Sequence, residues 1–161
     1  MSQLMTSVRW AESDEGSWLD TMTTNSNRIV VVREREALIW HGLPPRTERV
    51  IPQRIIAPDA HRDHRHVRTG QAHHLHHVDA DDPKYFDAIA SNLGDAERIL
   101  LVGHGHGRSN LSHGFAKHVE RHHRGVSARV IGEMNANLPA LQDHEILDLA
   151  RHWYAGYVER T

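Results

Sequence analysis

The chain of 161 residues has no cysteine, few aromatic residues and no long apolar run. The absence of cysteine excludes disulfide bonds, thiolate zinc sites and cysteine nucleophiles. No segment approaches the roughly 18 apolar residues of a membrane-spanning helix, and the N-terminus lacks the basic and apolar pattern of a signal peptide. We therefore expect a cytoplasmic protein with one packed core.

An excess of charge of one sign is also lacking. The 19 Lys and Arg residues oppose 21 Asp and Glu residues, so the formal net charge of −2 gives no general attraction to nucleic acid. Histidine is abundant instead, with 16 residues that titrate near neutral pH. Small differences in environment therefore decide the local charge of this chain.

The chain divides into a tail and a domain. Residues 1–27 are polar and acidic without sustained periodicity, which predicts a flexible N-terminal tail. Residues 28–161 then form a single α/β domain. Within this domain, "HRDHRHVRTGQAHHLHH" (61–77) contains seven histidines and almost no apolar side chain, so we expect a mobile histidine-rich loop at 58–80.

Apolar runs predict the strands of the domain. The segments "RIVVV" and "ALIWHG" indicate two antiparallel strands joined by the charged turn "RERE". Pro52 interrupts the next run, "RVIPQRII", and favours an edge strand or two short pieces. The continuous runs "RILLVG" and "ARVIGE" are typical of buried strands.

Helix signals separate these later strands. Asp82 as the N-cap, Pro83 as the first helical residue and Gly94 as the stop frame one helix. A second helix follows the glycine-rich turn, and the last helix has an apolar stripe made of Ile146, Leu149, Ala150, Trp153 and Tyr157. The alternation of helices and strands predicts a layered α/β fold with parallel strands beside the antiparallel pair.

The segment "GHGHGRSN" lies between a strand and a basic helix. Glycines permit close backbone approach, and a helix N-terminus presents N–H groups and a positive dipole end. We therefore predict a site for RNA or another anion, made of Gly103, His104, Gly105, His106, Gly107, Arg108, Lys117 and Arg121. In the alternative interpretation, the glycines only let a buried strand turn into a helix. The phosphate-binding P-loop and the dinucleotide fingerprint are both absent.

The histidine-rich loop has a second interpretation, as a metal site. Imidazole nitrogen suits zinc, nickel or copper, and Asp63 or Asp79 can complete the ligand set. The candidate ligands are His64, His66, His74, His76 and His77. Their spacing matches no defined catalytic zinc motif. A solvated loop and a basic arm that contacts RNA are the alternatives.

The end of the basic helix has two interpretations as well. Histidines at 118, 122 and 123 lie there among Lys117, Arg121 and Arg124. Positive charge near a helix C-terminus stabilises the helix dipole, which is one sufficient reason for these residues. The other is a patch that contacts phosphate together with Arg98 and Arg129, whose affinity would depend on salt.

An enzyme is not expected. Ser109 or Ser112 with His113 and Asp143 supplies the residue types of a serine hydrolase, but no Gly-x-Ser-x-Gly motif surrounds either serine. Aromatic side chains are sparse and fit core positions, so recognition by base stacking is not favoured. These patterns favour a binding protein.

The order of the motifs resembles a known family. The series "YFDAIASNLGDAERILLVGHG", "FAKHVERHH", "ARVIGE" and "DHEILDLARHWY" resembles the third domain of the archaeal and eukaryotic class-1 peptide release factor and Pelota family. Within it, the chain is similar to the short bacterial translational machinery proteins, over about residues 28–154. Where those relatives have "LLVGPG", this chain has His104 in place of proline and adds His106.

The resemblance implies an α-β-α sandwich with a mixed sheet, like that of several small RNA-binding ribosomal proteins. It also implies the ribosome, ribosomal RNA or a translation factor as the partner. The chain lacks a Gly-Gly-Gln loop, so we expect no peptide-release activity. The predicted function is a non-enzymatic, translation-associated binding module, and the alternative is a metal-binding or metal-responsive protein with zinc or nickel at the histidine-rich loop.

Overall fold

The computed structural model describes residues 26–58 and 83–160, except for the side chain of Arg108. The predicted N-terminal tail, apart from its last two residues, lies outside this part of the chain. So do Asp82 and, apart from residue 58, the predicted histidine-rich loop. The described residues form the predicted mixed α/β fold, with one five-stranded sheet between helices on its two faces.

The strand order in the sheet is β3-β2-β1-β4-β5. The strands are β1 (Asn27–Val32), β2 (Glu36–His41), β3 (Gln53–Ile56), β4 (Arg98–Gly103) and β5 (Val130–Asn135). Strands β1, β2 and β3 pair antiparallel, whereas β1, β4 and β5 pair parallel. The predicted hairpin and parallel pair are therefore confirmed, and β3, which follows Pro52, lies at an edge as expected.

In the described ranges, helices lie before, between and after the parallel strands β4 and β5. They are α1 (Pro83–Ser91), α2 (Leu111–His122), α3 (Arg124–Ser127) and α4 (Asp143–Arg160), with 3₁₀ turns at Gly107–Ser109 and Leu138–Ala140. Helix α1 begins at Pro83 as predicted and ends at Ser91, shortly before Gly94. In the described ranges, no helix combines the length and the apolar character needed to cross a membrane.

Two apolar layers hold the helices against the sheet. Side chains alternate along each strand, so Val30 and Leu101 face α1 and α2, whereas Val31 and Leu100 face α4. Because both faces are covered, the central strands are apolar at almost every position. The first layer includes Phe86, Ile89, Phe115 and Val119, and the second includes Trp40, Ile146, Ala150 and Tyr154.

Two details of the prediction are wrong. Leu149, which the apolar stripe of α4 was predicted to include, is 39% exposed. Leu147 and Tyr154, which the predicted stripe did not include, are buried in the second layer. Overlapping apolar stripes run along α4, and only the position of the helix over the sheet decides between them. The segment "ARVIGE" is not fully buried, because β5 is an edge strand whose residues are half-buried or exposed.

Candidate anion-binding groove

The glycine turn, residues 103–110, connects β4 to α2. Gly105 and Gly107 have φ angles of 86° and 59°, in the left-handed region that other residues rarely adopt. Gly103 has a different constraint, because a Cβ at this position would collide with the side chain of Asn110. The close approach that glycine permits at position 103 is therefore used by the protein's own Asn110 side chain, and the anion site at the glycine turn stays a prediction.

Side chains inside the glycine turn bind its backbone. The Asn110 side chain caps α2 by accepting a hydrogen bond from the His113 N–H, with 3.1 Å between the heavy atoms. The Ser109 hydroxyl donates to the carbonyl of His106 at 2.7 Å and accepts from the N–H of His106 at 3.1 Å. Several polar groups that an anion would need are thus already bonded.

The glycine turn is also bonded to the residues around the end of β5. Asn135 donates from Nδ2 to the Gly105 carbonyl at 2.6 Å. His104 lies with Nδ1 3.1 Å from the carbonyl oxygen of Ala136, and since a carbonyl only accepts, Nδ1 carries the hydrogen. The imidazole of His104 is therefore used to join β4 to the segment after β5.

A groove of about 400 Å³ runs along one side of α2. Of the predicted site residues it includes Gly107, Lys117 and Arg121, and the floor includes Phe86 of α1. It also includes further polar residues, which are Asn110, His113, His118 and His122. The helical positions recur every three or four residues, so they share one face of α2. We call this surface the α2 groove.

The α2 groove carries two cationic side chains that no acidic residue in the described ranges pairs with. Lys117 and Arg121 are exposed, and within the described residues neither forms an ion pair or a hydrogen bond through its side chain. His113, in contrast, is held by Glu133, with 2.9 Å between Nδ1 and the carboxylate oxygen. Two cations beside a concave surface, with no acidic partner in residues 26–58 or 83–160, favour an anionic ligand.

A second acidic residue in contact with the α2 groove is Asp87 of α1, which pairs with His118. Its Oδ1 atom lies 2.8 Å from Nε2 of His118 and 2.7 Å from Nε2 of His123. These hydrogen bonds lower the pKa of the Asp87 carboxyl below its usual value, and the bond from His123 contributes more than the bond from His118. The carboxylate is therefore ionised and accepts a hydrogen bond from each ring. Within the described residues its negative charge is paired with these histidines and not with Lys117 or Arg121.

Several predicted site residues lie elsewhere. Arg129 donates to the carbonyl of Gly94, and Arg98 lies 3.9 Å from Glu97, so neither contributes to the α2 groove. Arg108 is described only by its backbone, in the 3₁₀ turn before α2. All the predicted metal ligands of the loop fall outside the described residues, and that prediction stays a prediction: His64, His66, His74, His76 and His77.

The residues of the hydrolase hypothesis are not assembled. Ser112 is buried, and its hydroxyl donates to the Val102 carbonyl at 2.6 Å, while that of Ser109 donates to His106. His113, the proposed base, pairs with Glu133 instead of either serine. In the described part of the chain, these serines therefore serve backbone capping and packing.

The sequence contained a signal for the α2 groove that residue types alone did not reveal. Asn110, His113, Lys117, Arg121 and the neighbouring histidines recur at helical spacing over three turns. Read as one polar face opposite Phe115 and Val119, they predict a continuous surface along the helix.

Comparison of the chain with models of protein families, with curated proteins and with solved structures finds no match.

Proposed function

We propose that this protein is a translation-associated binding module whose α2 groove binds phosphate groups of ribosomal RNA. The observation that carries this proposal is the pair of exposed cations, Lys117 and Arg121, on a concave surface without acidic partners among the described residues. Phosphate contacts made by Lys and Arg supply most of the sequence-independent affinity of proteins for nucleic acid.

The histidines of the α2 groove extend this basic surface. His122 is exposed next to Arg121, and His118 lies beside it with ring centres 4.7 Å apart. An imidazole N–H can donate to a phosphate oxygen, and the exposed ring of His122 is placed to do so, whereas Nε2 of His118 already donates to Asp87.

The choice of ribosomal RNA over another polyanion rests on the resemblance to the release factor and Pelota third domain. That resemblance implies a place near the ribosome, where phosphate is the dominant surface chemistry. Among the described residues that line the α2 groove there is no exposed Phe, Tyr or Trp, since Phe86 is buried. Backbone binding is therefore favoured over base stacking.

Co-sedimentation of the full chain with ribosomes tests this proposal. The double variant Lys117→Gln, Arg121→Gln removes both groove cations and should reduce pelleting at low salt. The matched control, Arg46→Gln with Arg49→Gln, removes two exposed cations of the β2–β3 connection and should pellet like the unmodified protein. Wild-type pelleting should decline as salt increases.

Two results would contradict the proposal. One is the absence of wild-type pelleting at any salt concentration in buffer that contains magnesium. The other is an equal loss of pelleting in the groove variant and the control variant, which would indicate a general charge effect rather than binding by the α2 groove.

A further inference from the structure

Three potential metal ligands converge at one end of α2. Asp87 comes from α1, His118 from α2 and His123 from the residue that follows α2. One ligand atom from each residue lies within 4.8 Å of the other two, and Nε2 is the atom of each histidine that contacts Oδ1 of Asp87. We call these residues the Asp-His-His cluster.

The backbone brings the two histidines together in an unusual way. Residues five apart do not share a face of a regular α-helix, since the spacing that does is three or four. His123 lies beside His118 because it is the C-cap of α2, with φ −138° and ψ 66°, and its N–H still donates to the Val119 carbonyl. The end of the helix therefore directs the second imidazole back toward Asp87.

Packing fixes the position of the first imidazole. The side chain of His118 is only 10% exposed, and its ring lies 5.4 Å from the centre of the buried Phe86 ring and 4.7 Å from that of His122. Asp87 directly follows Phe86 in α1. The contact between Phe86 and His118 thus brings the ring nitrogen of His118 beside the carboxylate of the residue that follows Phe86.

We propose that the Asp-His-His cluster binds one zinc ion through Oδ1 of Asp87 and Nε2 of His118 and His123. Zinc takes two imidazoles and a carboxylate at about 2.0–2.2 Å, with water as a fourth ligand in open tetrahedral sites. Such ligand atoms are separated by about 3.3 Å, so the carboxylate must retreat by about half an ångström from each ring. Asp87 is 52% exposed, which leaves its side chain room to rotate.

Zinc replaces the hydrogen bonds of the cluster. In the metal-free state both rings carry a hydrogen on Nε2, because the ionised carboxylate only accepts. When the ion binds, each neutral ring carries its hydrogen on Nδ1 instead, and the Nε2 lone pair becomes a ligand. The carboxylate exchanges two hydrogen bonds for one bond to the cation, and no net proton is released from neutral rings.

This zinc site is separate from the predicted metal ligands of the histidine-rich loop and does not rest on the proposed function. His118 also lines the α2 groove, so a bound ion would add positive charge at the groove end. The binding of zinc itself requires no RNA. An assay of zinc alone therefore distinguishes failure of this inference from failure of RNA binding.

Titration of the full chain with zinc, followed by NMR of the histidine ring nitrogens, tests the inference. The resonances of His118 and His123 are assigned from the variants His118→Gln and His123→Gln. In the wild type, both should move together with one equivalent of zinc. In His123→Gln, which removes one of the three protein ligands, the affinity reported by His118 should fall by more than the roughly 10–100-fold that loss of an outer-shell partner costs.

Controls separate the cluster from other histidines. His152→Gln replaces an exposed histidine of α4 and should leave the response of His118 unchanged. Asp87→Asn keeps the side-chain shape but removes the anionic ligand, and it should weaken binding as His123→Gln does. The inference is overturned if His118 and His123 do not respond to zinc in the wild type, or if the response survives both cluster variants with native amide spectra.

Discussion

The glycine turn and the α2 groove overlap at Gly107 and Asn110, but the polar groups at their two ends are used differently. In the turn, Asn110 binds the helix N-terminus and His104 binds the carbonyl of Ala136. In the groove, Lys117 and Arg121 have no acidic partner within the described residues. The comparison teaches that a binding site is identified by the groups a fold leaves unsatisfied, rather than by residue type.

The largest expected effect is a loss of stability caused by a substitution in the glycine turn. In Gly103→Ala the new methyl group meets the Asn110 side chain, which must move and release its cap of α2. We expect the free energy of unfolding to fall by about 1–3 kcal/mol, as for other overpacked sites. Urea denaturation measures this change.

Gly125→Ala is the matched control for this substitution. Nothing lies within 4 Å of a Cβ at Gly125, which is in α3, so the same chemical change should not destabilise the protein and should raise its stability by about 0.4–1 kcal/mol, because alanine has less conformational freedom in the unfolded chain. Equal stability of the two variants would contradict the packing that the structure assigns to the turn.

The second expected effect concerns the α2 groove, where a substitution should lower RNA affinity and leave stability nearly unchanged. Lys117→Gln with Arg121→Gln should change the free energy of unfolding by less than about 0.5 kcal/mol, because both side chains are exposed. Affinity for single-stranded RNA should fall by about tenfold at low salt. The slope of log affinity against log salt should become shallower by about 1.4, for two lost phosphate contacts.

Fluorescence anisotropy with labelled RNA over a salt series measures both quantities. The variant Arg46→Gln with Arg49→Gln has the same net charge and should keep the wild-type slope. If this control lost affinity as strongly as the groove variant, the distinction between the α2 groove and the remaining surface would fail.

A smaller effect is expected at His104. His104→Ala removes the hydrogen bond to the Ala136 carbonyl and should lower the free energy of unfolding by about 0.5–1.5 kcal/mol. RNA affinity should remain within about twofold of the wild type, because the ring already binds the protein. A tenfold loss of RNA affinity with unchanged stability would instead show that His104 of the glycine turn contributes to RNA binding.

The smallest effect is a pH dependence at Asp87. Hydrogen bonds from His123 and His118 lower the pKa of this carboxyl, so the ionised form stabilises the folded state. That contribution is present above the usual carboxyl pKa of about 4 and is lost as the pH falls through the lower, folded-state value. In buffer with a chelator, the stability difference between the wild type and Asp87→Asn should therefore shrink below about pH 4, as urea titrations at several pH values can measure.

Most of the fold was predictable from the sequence, because the apolar runs are uninterrupted where strands are covered on both faces. The "RERE" turn and Pro83 also marked element boundaries correctly. Leu149 was not predictable, since helical spacing leaves two equivalent stripes on α4 and only packing against the sheet selects Leu147 and Tyr154.

The candidate site was predictable only in part. Lys117 and Arg121 were identified by charge, but the sequence does not reveal that the polar groups of the glycine turn bind one another. The Asp-His-His cluster was missed because Asp87 is remote from the histidines in sequence. The approach of His123 to His118 also depends on a backbone conformation at the helix end, which spacing rules for helices do not include.

An amide NMR titration of the full chain with a short single-stranded RNA tests the central claim most directly. The account predicts that the amide resonances of Lys117, His118, Arg121 and His122 move with added RNA, and that those of His104 and Gly105 change little. It would be contradicted if the largest changes occurred at His104 and Gly105 while α2 remained unaffected.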